Sequence, residues 1–423
     1  FHFEQGQYEK AIAVFATLAN QNKTAPEMFQ NWGMGLEAAG KLPEAEVVLK
    51  TGLSQFPQNA LLHFHLSTVL LAQQKFQEGW AEYDWRFQSG LVPPRPDEFR
   101  KHFVAHQVAF SPKQLLKPSP HEFNLIIHEQ GYGDTIQFSR MFWWLMENDY
   151  LSPEARWVIE LPKPLIRLFQ HQLFQDQAGA ITFIERDTSG EISPLLALIE
   201  KLEKQTQKQL NAVYSLMSLP SLLPEPELFH TPKAYLTVPE NNINKVQEEL
   251  RKKELSQKYP HVQHWIGWMP SGSPSNLAGK RRSIPDEVWI PMMQHFLEKH
   301  PETGLLWISP DITPEVLHQI KATLSPQQVF CPFQESELFQ DFLETAQWLK
   351  GCKQVITIDT ALAHLAGALG IPTIILLPYA SDWRWFLPPT NQFVQSAWYP
   401  SVQLLRQTEA NEWHSLLKQA LGD

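Results

Sequence analysis

Asp134 closes the run Glu129-Gln130-Gly131-Tyr132-Gly133-Asp134, which follows a short apolar stretch and opens an apolar helical pattern. Two glycines there let the backbone turn tightly and approach a ligand. A carboxylate on the first helical residues of such a turn can take a proton from an acceptor hydroxyl. The same aspartate would also cap the helix, and spacing alone does not separate the two roles. A second cluster, Asp359-Thr360-Ala361-Leu362-Ala363-His364, runs from the end of one apolar stretch into another helical pattern. Asp359, Thr360 and the first helical amides, those of Ala361 and Leu362, suit a diphosphate, because a helix N-terminus favours negative charge. His364 lies one turn beyond Thr360 on the same face. Ser271-Gly272-Ser273 follows a further strand pattern, with Arg281 and Arg282 beyond it; small hydroxyls and guanidinium forks again fit a diphosphate. Trp383 and Trp385 offer flat faces to a sugar or base, and would serve as well in a core.

Other chemistries fit less well. The third glycine of the dinucleotide fingerprint is absent, since Ile136 occupies its place, and the acid Glu160 lies 29 residues beyond Gly131 rather than about 20. An oxidoreductase is thereby disfavoured. No Asp-x-Asp pair or histidine cluster stands at a strand end, so no metal and no cofactor are expected. With 35 basic against 45 acidic residues and Lys280-Arg281-Arg282 as the densest cationic cluster, a nucleic-acid partner is not expected. Cys331 and Cys352 are the only cysteines and form no CxxC pattern, which fits a reducing, cytoplasmic setting. The most apolar window, residues 361–378, contains His364 and Pro372 and splits into a helix and a strand, so no transmembrane segment is expected.

These residues need elements to hold them. Short apolar strands are expected at residues 124–128, 157–161, 180–184 and 212–216. A second series is expected at 265–269, 304–308, 328–331, 354–358 and 373–377. The charged run 241–258 reads as a helix between the two series. Two α/β units facing each other form a cleft at their strand C-termini, where open sheets bind ligands. The chain of 423 residues divides accordingly into 121–240, a linker helix at 241–260, and 261–423. In front of these, a period of 34 residues relates Gly6, Gly40 and Gln74, then Tyr8, Leu42 and Phe76, then Ala11, Ala45 and Gly79. With Trp32-Gly33, Leu36, Leu49, Gly52 and Pro57 it resembles the tetratricopeptide (TPR) pattern over residues 1–90. Such arrays hold peptides in a concave groove or brace a neighbouring domain, the latter through residues such as Trp85 and Phe87. Residues 91–120, with six prolines, read as an irregular connector.

From about His121 to Gly422 the chain resembles the TPR-linked relatives of ADP-heptose:lipopolysaccharide heptosyltransferases, glycosyltransferase family 9-like enzymes of the GT-B fold. The resemblance is carried by Glu129-Gln130-Gly131-Tyr132-Gly133-Asp134-Thr135-Ile136-Gln137-Phe138, by Arg282-Ser283-Ile284-Pro285 and by the segment from Asp359 to Gly370. Pro378-Tyr379-Ala380-Ser381-Asp382-Trp383-Arg384-Trp385 and Trp398-Tyr399-Pro400 add to it. It implies a fold of two facing Rossmann-like domains behind an all-α repeat domain, in a bacterial protein. It implies Asp134 as the catalytic base, and Arg282, Asp359, Thr360, Ala361, Leu362 and His364 at the donor, to which the residue pattern adds Ser271. Gly131, Gly133, Gln137, Trp383 and Trp385 become candidates for the acceptor side or the cleft. Two departures stand out: His128 replaces a small residue, and Arg282 replaces a phosphate-binding lysine, an exchange that alters donor geometry.

The function so implied is inverting, metal-independent transfer of a sugar from a nucleotide-diphosphate sugar to a hydroxyl, on a protein or peptide held at the TPR groove. Lipopolysaccharide-type glycan synthesis and a non-catalytic TPR adaptor are the alternatives. Architecture alone also likens the chain to TPR-bearing O-linked N-acetylglucosaminyltransferases, whose catalytic motifs it lacks.

Overall fold

In the computed structural model, described over residues 8–20, 25–90, 95–150, 156–170, 172, 180–187, 189, 191–223, 234–238, 242–272, 277–309, 312–335, 341–386 and 394–422, a helical region precedes two sheets. Gly6, Pro93, Pro94 and Ser273 fall outside these residues. The helical region opens with α1 (Tyr8–Asn20), α2 (Pro26–Ala38), α3 (Leu42–Gln55), α4 (Ala60–Ala72) and α5 (Phe76–Tyr83). Helices α1, α3 and α5 begin 34 residues apart, as do α2 and α4. Each packs on the next. Small residues permit the approach: a Cβ on Gly33 would fall 2.7 Å from Leu49, and one on Gly52 would fall 2.8 Å from Phe29. At the same phase of two successive units, Gly40 (φ +73) and Gln74 (φ +61) turn the chain through left-handed conformations.

The stretch expected to be an irregular connector contains a helix, Arg95–Ala105, and a strand, β1 (Ala109–Phe110). Pro96 stands in the first turn, where its missing N–H costs nothing, and no proline follows until Pro112. Phe99 and Phe103, one turn apart and buried, place this helix on the sheet core beside Phe123 and Leu125. Beyond the strand the chain stays tied down. Leu116 N–H donates to Tyr214 Oη at 2.8 Å, and Leu116 O accepts from Asn124 Nδ2 at 2.6 Å.

The first sheet contains β2 (Glu122–Ile127), β3 (Arg156–Leu161), β4 (Ile181–Glu185) and β5 (Gln209–Ser215), in the parallel order β1-β5-β2-β3-β4. The charged helix Asn242–Lys258 follows. The second sheet contains β6 (His264–Met269), β7 (Thr303–Trp307), β8 (Val329–Phe330), β9 (Cys352–Ile358), β10 (Thr373–Leu377), β11 (Val394–Gln395) and β12 (Val402–Arg406). Its order is β11-β12-β10-β9-β6-β7-β8, parallel except for β11 against β12. The two short C-terminal strands extend the series read from sequence. Strand order reverses between β5 and β2 and again between β9 and β6, and in such sheets ligands sit at the strand C-termini beside the reversal.

The helical region is fixed to both sheets. Arg86, fully buried, donates to both carboxylate oxygens of Glu129, from Nε at 3.0 Å and from Nη2 at 2.6 Å. Glu129 also accepts from Met217 N–H at 3.1 Å and from the Ser215 hydroxyl. On the other sheet, Trp383 packs edge-on against Trp80 and Tyr83, and Phe386 against Phe76. Tyr8 stacks on Tyr379, whose hydroxyl donates to Ala39 O at 3.4 Å. Phe87 meets Phe110 of the first sheet, whereas Trp85 stacks on His63 within the helical region. Removing one partner of a buried ion pair leaves the other uncompensated. Arg86→Met is therefore expected to lower the unfolding free energy by about 3–5 kcal/mol, read by urea denaturation. A loss well under about 1 kcal/mol would show that the pair does not hold this junction.

Candidate active site

A cavity of about 850 Å³ lies between the two sheets, lined by the loops that follow β2, β9 and β10. The β2 loop supplies Gln130, Gly131, Gly133 and Asp134; the other two supply Asp359, Thr360, Ala361, Leu362, His364, Asp382 and Arg384. Arg282, from the helix Leu277–Arg282, adds to the polar lining, as do Tyr132, Asp341 and Thr345. Residues from distant parts of the sequence thus meet in one cleft.

Asp134 has two engagements. Its Oδ2 accepts the Gly131 N–H at 2.8 Å, closing the first turn of the helix Tyr132–Phe138. Its Oδ1 accepts from Arg384 Nη2 at 2.5 Å, across the cleft. An ionised carboxylate has about four acceptor positions, so two remain for an incoming hydroxyl. Capping and proton transfer are therefore compatible in this residue. Arg384 Nη1 also donates to Asp382 Oδ1 at 2.9 Å, and its guanidinium lies 4.4 Å from the Trp383 ring centroid. Burial opposes its charge, and the carboxylates of Asp134 and Asp382 overcome that, raising its pKa above the ordinary arginine range.

The β2 loop and the β9 loop meet closely. A Cβ on Gly133 would fall 2.9 Å from His364 Cδ2 and 3.4 Å from Ala361 Cα, so only glycine lets these two segments approach as they do. On the second domain, Arg282 Nη1 reaches Asp359 Oδ2 at 3.4 Å. Burial, then the neighbouring charge of Asp382, raises the Asp359 pKa, while Arg282 pulls it back. Thr360 stands at the N-cap position of the helix Ala361–Ala368 with its side chain making no capping bond, and this N-terminus opens on the cavity. The Arg282 and Arg384 Nε donors are buried and have no hydrogen-bond partner among the described residues. Two guanidinium groups and a helix N-terminus form an environment for a diphosphate. Among the described residues, no group of three or more His, Cys, Asp or Glu side chains is arranged to hold a metal ion.

Several candidates stand elsewhere. Ser271, past the end of β6, is half-buried and does not line the cavity. Gln137 is fully buried on the helix that begins at Tyr132, and neither end of its amide has a partner among the described residues. Trp383 and Trp385 are core residues: Trp383 is packed between Trp80 and Tyr83, and Trp385 stacks on His364 at 5.1 Å. Neighbouring side chains, Arg384 over Trp383 and His364 against Trp385, occupy ring faces that a sugar or base would need. The residue between the two tryptophans, Arg384, reaches the cleft instead, its guanidinium lying over the Trp383 ring at the single 3-10 turn Trp383–Trp385. Gln130, Tyr132, Asp341 and Thr345 are polar cleft residues that sequence reasoning did not single out, as are Asp382 and Arg384. The Asp-x-Arg spacing after a buried strand was the available signal.

A model of glycosyltransferase family 9 (heptosyltransferase) matches residues 196–413, just over half of the chain. The chain belongs to this family. The match takes in β5 and the whole second sheet, with Arg282, Asp359, His364 and Arg384; Asp134 precedes it. Protein FlbA of Caulobacter vibrioides is 24% identical over 358 residues, which cover 84% of this chain and 53% of FlbA. The chain thus spans about half the length of that relative. A family 9 glycosyl transferase from Veillonella parvula superposes with a TM-score of 0.46 at 10% identity, covering 72% of this chain and 98% of that one. The ADP-heptose lps heptosyltransferase II of E. coli gives 0.44 at 14% identity, covering 70% and 98%.

His364 enters this family 9 site neutral. Burial, then the charges of Arg384, Arg140 and Arg282, push its pKa well below 6.5, while Nδ1 lies 2.8 Å from Tyr399 Oη. The unfolded chain takes up the proton in the ordinary histidine range and the folded chain does not. The contribution to stability is therefore complete above about pH 6.5 and lost as the pH falls below it. Relative to the wild type, His364→Gln should flatten the fall in melting temperature between about pH 7.5 and about pH 5. Parallel melting curves for the two proteins would show that His364 is not held neutral.

Proposed function

We propose that the chain transfers a sugar from a nucleotide-diphosphate sugar to a hydroxyl acceptor by a single inverting displacement. The observation that carries this reading is one cleft with Asp134 on one wall and Arg282, Thr360 and the helix Ala361–Ala368 on the other. Asp134 removes the acceptor proton as the oxygen attacks the anomeric carbon. The bond from that carbon to the diphosphate oxygen breaks, and the diphosphate leaves with the electron pair. Arg282 and the helix amides stabilise the developing charge without a metal ion. His364, neutral and bonded to Tyr399, contributes hydrogen bonding and shape rather than charge.

We further read the 34-residue helical units as TPR repeats and the acceptor as a protein. Support comes from the repeat itself and from its location. Glu37 on α2 is held up to about 7 by burial, against the pull of Thr68, with the charge of Asp382 adding to the shift. Asp382 lines the cleft, so the α2 and α4 surface adjoins the site of transfer. A segment laid along that surface would gain effective concentration at Asp134. The packing of α4 and α5 on Trp383 supports a bracing role for the same helices as well.

Asp134→Asn should leave melting temperature and nucleotide-diphosphate binding intact, yet cut transfer by roughly two to four orders of magnitude. Wild-type transfer should persist in a chelator. Near-normal turnover in the variant ends the base assignment, and a strict requirement for added Mg²⁺ or Mn²⁺ ends the metal-free mechanism.

The acceptor is tested on the exposed α2 residue Asn31. Asn31→Arg should depress transfer to a protein while sparing sugar-nucleotide hydrolysis and stability. Transfer confined to a lipid-linked saccharide would make the repeats a brace and place the chain in glycan synthesis.

A further inference from the structure

We propose that Tyr83, in the helical region, is a positioning residue for the transfer step, holding Gln130 so that Arg384 is aligned on Asp134. The inference rests on the reading of Asp134 as base. Its geometry is a chain of three bonds. Gln130 Nε2 donates to Tyr83 Oη at 2.8 Å, Arg384 Nη2 donates to Gln130 Oε1 at 3.4 Å, and the same Nη2 donates to Asp134 Oδ1 at 2.5 Å. A primary amide has a donor end and an acceptor end, so its partners fix its orientation. With Tyr83 Oη accepting from Nε2, Oε1 faces the guanidinium. Rotated by half a turn, the NH₂ group would set donors against donors.

Each link in the chain is confined. Tyr83 is 2% exposed and lies edge-on to both Trp80 and Trp383, and burial pushes its hydroxyl up to about 12, so it stays protonated. Gln130 holds φ +63, a conformation uncommon for a residue with a Cβ, at the point where the β2 loop turns into the cleft. Arg384 lies over Trp383, which the helical region packs directly. A mere brace would be satisfied by the aromatic packing. The tyrosine hydroxyl and the glutamine amide add nothing to that packing, but they complete a polar path from the helical region to the base. In this arrangement the repeats contribute to the chemistry without touching either substrate.

Tyr83→Phe keeps the ring and removes the oxygen. Transfer by the full chain should lose roughly tenfold to a hundredfold in kcat, the scale of a small misplacement of a reacting group, with donor KM within about twofold of wild type. Melting temperature should be unchanged. Gln130→Met should reproduce the loss, and the double variant should be no slower than the worse single one, because groups acting in series do not add. Wild-type kcat in both single variants, a loss confined to KM, or additive losses would each overturn the proposal. Asp134→Asn in the same assay separates the two readings. If it remains active, the base assignment fails; if it is inactive while Tyr83→Phe turns over normally, only the role of Tyr83 fails.

Discussion

Arg384 lies where three parts of the chain meet, and its charge is the constraint around which they are arranged. It is carried by the second α/β domain, pairs with Asp134 of the first, and lies against Trp383, which packs on the helical region. A guanidinium with about a tenth of its side chain exposed must be compensated, because removing a cation from water costs several kcal/mol. Asp382 alone could balance the charge locally. The bond to Asp134 does more, since it fixes the spacing of the two domains at the carboxylate assigned the chemistry.

Steric exclusion sets the same spacing from another side. Helix Tyr132–Phe138 lies against helix Ala361–Ala368, with Gly133 at the contact, so the loop that carries Asp134 and the segment that follows β9 are neighbours rather than opposite ends of an open groove. His364 shares this contact and is sealed by Trp385 and Tyr399. The aromatic richness of the chain finds its use here: large rings fill the space around a few polar groups and deprive them of water, which strengthens each remaining interaction.

Much of this was legible in the sequence. Nine apolar runs marked strands, because parallel strands covered on both faces show as continuous hydrophobic stretches. Asp134 and the segment from Asp359 were placed at strand ends and Arg282 beyond a further strand, and the fold brings Asp134, Arg282, Asp359, Thr360, Ala361, Leu362 and His364 together. The misses have physical causes. Strand β12, Val402–Arg406, includes the buried Arg406 and the exposed Gln403, and its polar content hid it. The helix Arg95–Ala105 was masked by the prolines around it, although Phe99 and Phe103 carried the helical period. Trp383 and Trp385 drew attention for their faces, while the arginine between them held the cleft. No local pattern shows which side of a single turn points inward, because tertiary packing decides it.

Strand β1 has a consequence for how the chain can be divided. It covers the outer side of β5 with two paired residues, and the Ser111 N–H adds a bond to Val213 O at 2.7 Å. A fragment cut at the end of the connector would seem to keep both Rossmann-like units whole. It would instead leave the backbone donors and acceptors of β5 bare along an apolar edge, a template for pairing with other chains. The connector is in that sense a guard against self-association, and the catalytic domains are properly separated from the helices before residue 95 rather than after residue 120.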